Sequence, residues 1–171
     1  MMDDELGDLA QRLGRHMAEK CMDGMPGHFR DDLLVAFPDE EMTAVRSALA
    51  ELKGAGLVTL DPLIGPKLPS VRTTLALFIA ADAAITGHDP IEDSVVLARM
   101  LIDDPELGHV PKLEDAAGWP RRRFNPALGM LMPLFPKGRY REVDQLYYPT
   151  LGLIVGDDEV VALRRYVRDR T

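Results

Sequence analysis

From Asp4 to about Cys21 the apolar side chains fall at Leu6, Leu9, Ala10, Leu13 and Met17, the three-and-four spacing of an amphipathic helix. Met22 to Gly27 holds two glycines and a proline and interrupts it. A short helix is predicted from about Arg30 to Ala36, closed by Phe37-Pro38, because the residue ahead of a proline is driven out of helical geometry. Asp39, Glu40 and Glu41 then open a third helix, with Met42, Val45, Leu49 and Leu52 as its apolar stripe and Gly54 and Gly56 as its stop. The acids stand where the helix dipole favours negative charge.

Beyond Gly56 the period changes from about 3.6 to 2. Leu57 to Leu60 reads as a strand, Asp61 to Ser70 carries three prolines and a glycine, and Val71, Thr73, Leu75, Leu77 and Ile79 alternate along a second strand. The alanines around Asp82 also allow a helix over Thr74–Thr86, so the strand is expected to pass into a short helix there. Gly87-His88-Asp89-Pro90 is the best boundary in the chain and divides it into residues 1–87 and 88–171.

The second stretch repeats the order of the first. Asp89-Pro90-Ile91-Glu92 has the form of a capping box, opening a helix to about Ile102 that Asp103-Asp104-Pro105 ends. A short helix over Pro111–Ala117 follows, then the turn Gly118-Trp119-Pro120. Proline is costly inside a helix, so Asn125 is expected to cap and Pro126 to begin a helix to Leu134, with the arginines in the turn before it. Tyr140–Tyr148 and Leu151–Val155 read as strands around Pro149, and Asp157-Asp158 caps a last helix through Arg168. Three residue matches accompany the repeat: Thr74–Leu77 with Thr150–Leu153, Phe37-Pro38 with Trp119-Pro120, and Ala48-Leu49 with Ala127-Leu128, at unequal offsets.

The predicted class is mainly α with small β-hairpins (α+β). The order of elements resembles the winged helix-turn-helix superfamily, and Val110-Pro111-Lys112-Leu113-Glu114-Asp115-Ala116-Ala117-Gly118-Trp119 carries most of that likeness, Ala116 and Gly118 suiting a tight helix–helix turn. The resemblance spans nearly the whole chain as a pattern, without a diagnostic motif, and implies two tandem winged units. Proteins so built include transcription and replication regulators that read DNA. They also include assembly subunits, such as bacterial condensin accessory proteins, that grip other proteins, and the fold does not choose between these roles.

Charge separates the halves. Residues 1–85 hold 8 basic against 14 acidic side chains, or -6, and residues 86–171 hold 12 against 14, or -2, within a total of -8. Against this balance Arg121, Arg122, Arg123, Lys137, Arg139 and Arg141 lie between Gly118 and Arg141 with no acid among them. On the winged-helix pattern they fall at the recognition element and the first edge of the wing, where arginine forks match phosphates and guanine edges. The expectation is therefore a DNA-binding regulator, contacting duplex DNA through its second unit. The alternative is an adaptor that binds protein. Tyr147 and Tyr148 are candidate partner-binding residues, and the acidic first half, whose third helix starts with phosphate-repelling acids, is a candidate for a protein partner or for self-association into a dimer.

Catalysis is not expected. The chain lacks a nucleophile elbow, a phosphate loop and a glycine fingerprint, and its paired aspartates diverge on helices as caps do. No metal or cofactor is expected either, since His16, Cys21 and His28 do not share a helical face. One cysteine excludes an intramolecular disulfide, and an acidic N-terminus without an apolar run points to the cytoplasm rather than to a membrane or export.

Overall fold

The computed structural model describes residues 6–61, 67–141 and 147–171. The chain divides into two compact units, one made of Met1–Met22 and Pro26–Gly87, the other of Asp23–Met25 and His88–Thr171. Each has its own hydrophobic core, and the two cores share no residue.

In the first unit α1 (Asp8–Lys20) buries Ala10, Leu13, Met17 and Ala18 along the stripe that its sequence predicts. Next come β1 (His28–Phe29), α2 (Asp32–Ala36) and α3 (Met42–Gly54). Then β2 (Val58–Asp61) and β3 (Ser70–Thr73) form an antiparallel hairpin, and β1 adds to the other edge of β3, giving the order β1-β3-β2. Phe29, Val71 and Leu60 stand in one register row, facing the core, while His28, Arg72 and Thr59 form the exposed row beside it. Period-2 alternation produces this split between a core face and a water face. The architecture is mainly helical with a small antiparallel sheet, an α+β chain.

Two expectations need correction here. The third helix begins at Met42, so Asp39, Glu40 and Glu41 precede it. The strand also stops at Thr73, short of Ile79, and the helix that the alanines around Asp82 allowed, α4 (Leu75–Thr86), takes over for 12 residues. This segment is apolar on nearly every side, so an alternating subset is present by composition alone. Burial of Leu77, Phe78 and Ala81, at one- and three-residue steps, reveals the helical face. Thr74 sets the switch by donating its hydroxyl to the carbonyls of Gly56 and Leu57.

The second unit starts with α5 (Pro90–Asp103), where the Asp89 carboxylate accepts from the Ile91 amide at 2.7 Å and Pro90 takes the first turn. Asp104 caps the short 3-10 turn Pro105–Gly108, then α6 (Val110–Ala117) and α7 (Arg121–Leu131) follow. Here α7 departs from expectation. It runs through Pro126 rather than starting there, and the three arginines form its first turn. Only one backbone bond is forgone, because the lost N–H is the one that would reach the carbonyl of Arg122, and Asn125 is buried instead of capping.

The expected strands Tyr140–Tyr148 and Leu151–Val155 are reduced among the described residues to bridges, His109 with Gly152 and Tyr140 with Leu153, while residues 142–146 lie outside the described set. Backbone bonds nevertheless put 151–154 between the segments 108–110 and 139–141. The order of pairing is that of the first unit's sheet. In α8 (Asp157–Arg168) the cap is not Asp157-Asp158: the buried Glu159 carboxylate accepts from the Gly156 amide at 2.9 Å. Of the residue matches, Phe37-Pro38 and Trp119-Pro120 both follow a second helix, and Ala48-Leu49 and Ala127-Leu128 are buried in the third. Thr74–Leu77 and Thr150–Leu153 are not equivalent, since the former starts α4 and the latter is a paired extended segment. No described helix is long and apolar enough to cross a membrane.

Candidate functional site

Successive residues on a helix point about 100° apart, so Arg121, Arg122 and Arg123 fan out from the start of α7 rather than forming one row. Arg121 turns toward α6 and toward Tyr147 and Tyr148. Its Nε lies 3.3 Å from Glu114, its Nη2 donates to the Tyr148 hydroxyl at 3.3 Å, and its guanidinium carbon stands 4.9 Å and 5.0 Å from the ring centres of Tyr147 and Tyr148. Tyr148 completes the cluster by donating to Glu114. Burial first, and the hydrogen bond to Glu114 second, push the Tyr148 phenol above its ordinary pKa.

Arg123 turns the other way, to α5, where Nε and Nη2 reach the two oxygens of Asp93 at 2.8 Å and 2.7 Å. Its guanidinium carbon also stands over the Trp119 ring, 4.0 Å from the ring centre. The bidentate bond to Asp93 raises the Arg123 pKa. Arg139 meets the buried Glu159 at 3.2 Å. Arg122 is half-buried, and Lys137 and Arg141 are exposed.

The run that is free of acids in sequence is therefore not free of them in space. Glu114, Asp93 and Glu159 come from three other helices to meet three of the six cations. Sequence reasoning missed these carboxylates because local charge counts carry no information about which helix packs on which. No protein-family model, no curated protein and no solved structure matches this chain. The geometry alone carries the functional argument.

A second feature bears on α7 as a reading helix. Phe124, Asn125, Pro126, Ala127 and Leu128 are consecutive and all buried. Five successive residues sweep about 400° around a helix, so its middle is covered on every side. Asn125 shows how: its Nδ2 donates to the backbone carbonyls of Asp23 and Tyr147, at 2.8 Å each, and its Oδ1 has no partner among the described residues. Gly24 lies against the Pro126 ring and the Arg122 carbonyl.

The two candidate tyrosines separate. Tyr148 is buried, whereas Tyr147 is 56% exposed with its ring beside the Arg121 guanidinium. In the first unit, Glu40 pairs with Arg12 of α1, while Asp39 and Glu41 stay exposed ahead of α3. Among the described residues no group of three or more His, Cys, Asp or Glu gathers as a metal site would require.

Proposed function

We propose that this chain is a non-enzymatic binding protein of two tandem winged helix-turn-helix units, the second of which grips a protein partner. The tandem reading is supported by the pairing order, since in both units an extended segment ahead of the second helix lies beside the last strand-like segment, and the middle one on its other side. A final helix closes each. The observation that carries the protein-binding reading is the pair formed by Arg121 and the exposed ring of Tyr147. An exposed tyrosine ring beside an arginine whose charge Glu114 already balances offers area and a polar tip without net attraction for phosphate. Protein interfaces concentrate that chemistry.

The expected duplex contact through Arg121, Arg123 and Arg139 is weakened by their carboxylates, and the buried middle of α7 leaves little helix to enter a groove. A duplex reading of this unit retains Lys137 and Arg141, both exposed. The test is purification of the tagged full chain from its own cells under gentle, low-salt lysis, beside Tyr147→Ala. A protein present in stoichiometric amount with wild type and lost with the variant, at unchanged thermal midpoint, is the expected result. Wild type that purifies alone, or a partner indifferent to the substitution, overturns the reading.

A further inference from the structure

At the start of α8 the Glu159 carboxylate takes the Gly156 amide, which leaves Asp157 and Asp158 without the capping role that their position suggests. Both are exposed, as are Arg164, Arg165 and Arg168 further along the helix. Among the described residues Asp157, Asp158, Arg164 and Arg165 form no ion pair and no side-chain hydrogen bond. Val161, more than half exposed, stands midway between the acids and the arginines. At 100° per residue Asp157 and Arg164 lie about 40° and 60° to one side of Val161, and Arg165 and Asp158 lie the same amounts to the other. This outward stripe, about 120° wide, is opposite the side on which α8 buries Leu163 and Tyr166.

The helix dipole favours acids at the start of a helix and cations at its end. That preference holds all round the helix. It explains neither the confinement of these charges to one side nor the seven-residue spacing that sets each acid and an arginine on the same edge. A polyanion laid along the stripe would meet its two acids, and a basic peptide would meet its arginines. A copy of the same helix running the other way meets neither conflict.

We infer that α8 pairs antiparallel with α8 of a second copy of this chain, about a two-fold axis at Val161. Such an axis keeps equivalent residues on the same edge of the seam. Asp157 then stands about 6 Å along the axis from the level of Val161, and Arg164 of the second copy stands about 4.5 Å from it, in the same direction and on the same edge. Asp158 meets Arg165 of the second copy in the same way on the other edge. Symmetry doubles the two ion pairs to four, while Val161 meets its own equivalent. Parallel pairing would instead set aspartate against aspartate and arginine against arginine. The contact is isologous and closes at two copies. It consists of exposed ion pairs around a small apolar centre, so the dimer is weak and sensitive to salt. This moves self-association from the acidic first unit, where the charge balance suggested it, to the second, and it does not depend on what binds at Tyr147.

The experiment is sedimentation equilibrium of the full chain at low salt, up to submillimolar concentration. Wild type should show a monomer–dimer equilibrium without larger species, weakening as salt rises. Asp157→Arg with Asp158→Arg should weaken the dimer at least about tenfold by facing arginine with arginine, and Arg164→Asp with Arg165→Asp should do the same by facing acid with acid. An equimolar mixture of the two variants should regain a dimer of wild-type strength, because each chain then offers the charge that the other faces. The mixture also separates pairing from folding, since a variant that has lost its fold is not rescued by a second one. Wild type that stays monomeric throughout, a dimer that survives both reversals, or a mixture that remains monomeric overturns the inference.

Discussion

At the scale of single residues, the second unit spends its polar chemistry on itself, and Tyr148 illustrates the consequence. Its phenol is held above the ordinary value of 10.0 by burial and by the bond to Glu114, so the folded chain keeps a proton that the unfolded chain releases first. Stability from this group is complete below about pH 10 and falls as pH climbs through the raised folded value. Urea unfolding from pH 8 to 11 should show that decline, and Tyr148→Phe should flatten it while lowering stability at pH 8 by about 1–2 kcal/mol, through the lost bonds to Glu114 and Arg121. Glycines give a sharper contrast. Gly24 and Gly118 both have left-handed backbone, with φ of 73° and 66°. A methyl group at Gly118 meets nothing within 4 Å, but at Gly24 it would sit 2.7 Å from Pro126 Cδ and 2.9 Å from the Arg122 carbonyl. Gly118→Ala should cost about 1 kcal/mol and Gly24→Ala about 3, the difference being the clash. Thermal unfolding of the two variants in parallel reads this directly, and equal losses would show that Gly24 does not need its close fit against α7.

At the scale of elements, what decided legibility was whether a segment's local pattern agreed with its packing. In α1, α3 and α5 one apolar stripe met one core, so period and structure coincide. At α5 even the cap was readable, and Asp89→Ala should cost about 1 kcal/mol of stability, measurable as a lower thermal midpoint, because the Ile91 amide loses its acceptor. Where the pattern was degenerate the reading left two elements open. Leu75 to Ile79 alternate only because almost every side chain from Leu75 to Ile85 is apolar, and a strand template fits such a run as readily as a helix. Pro126 misled in another way. Its penalty is real, but a single forgone hydrogen bond is a small loss beside the burial of Phe124, Ala127, Leu128 and Leu131 on the same helix. The candidate site was half legible for a related reason. Cations are visible in the sequence wherever they stand, while their partners Asp93, Glu114 and Glu159 become partners only through the packing of α5, α6 and α8.

At the scale of the whole molecule, the net charge of -8 says less than where each unit keeps its core and its unpaired surface. The cores of the two units have no side chain in common, and the chain's one tryptophan, Trp119, packs against the second of them. Its fluorescence therefore reports one unit, while the helical signal in circular dichroism reports both. Leu13 and Leu128 are each fully buried, one in each core, and truncating either leaves a cavity costing about 2–5 kcal/mol. Leu128→Ala should lower the denaturant midpoint seen by Trp119 fluorescence. Leu13→Ala should lower the early part of the dichroism transition and leave the fluorescence midpoint where it was. Coincident shifts in both signals for both variants would mean that the chain unfolds as one cooperative body in spite of its two cores. In that case a protein bound at Tyr147 would stabilise the first unit as well, since a ligand raises the population of any folded state that it binds. Separate transitions would instead confine that protection to the second unit, and a partner at Tyr147 would raise the Trp119 midpoint without moving the dichroism of the first unit.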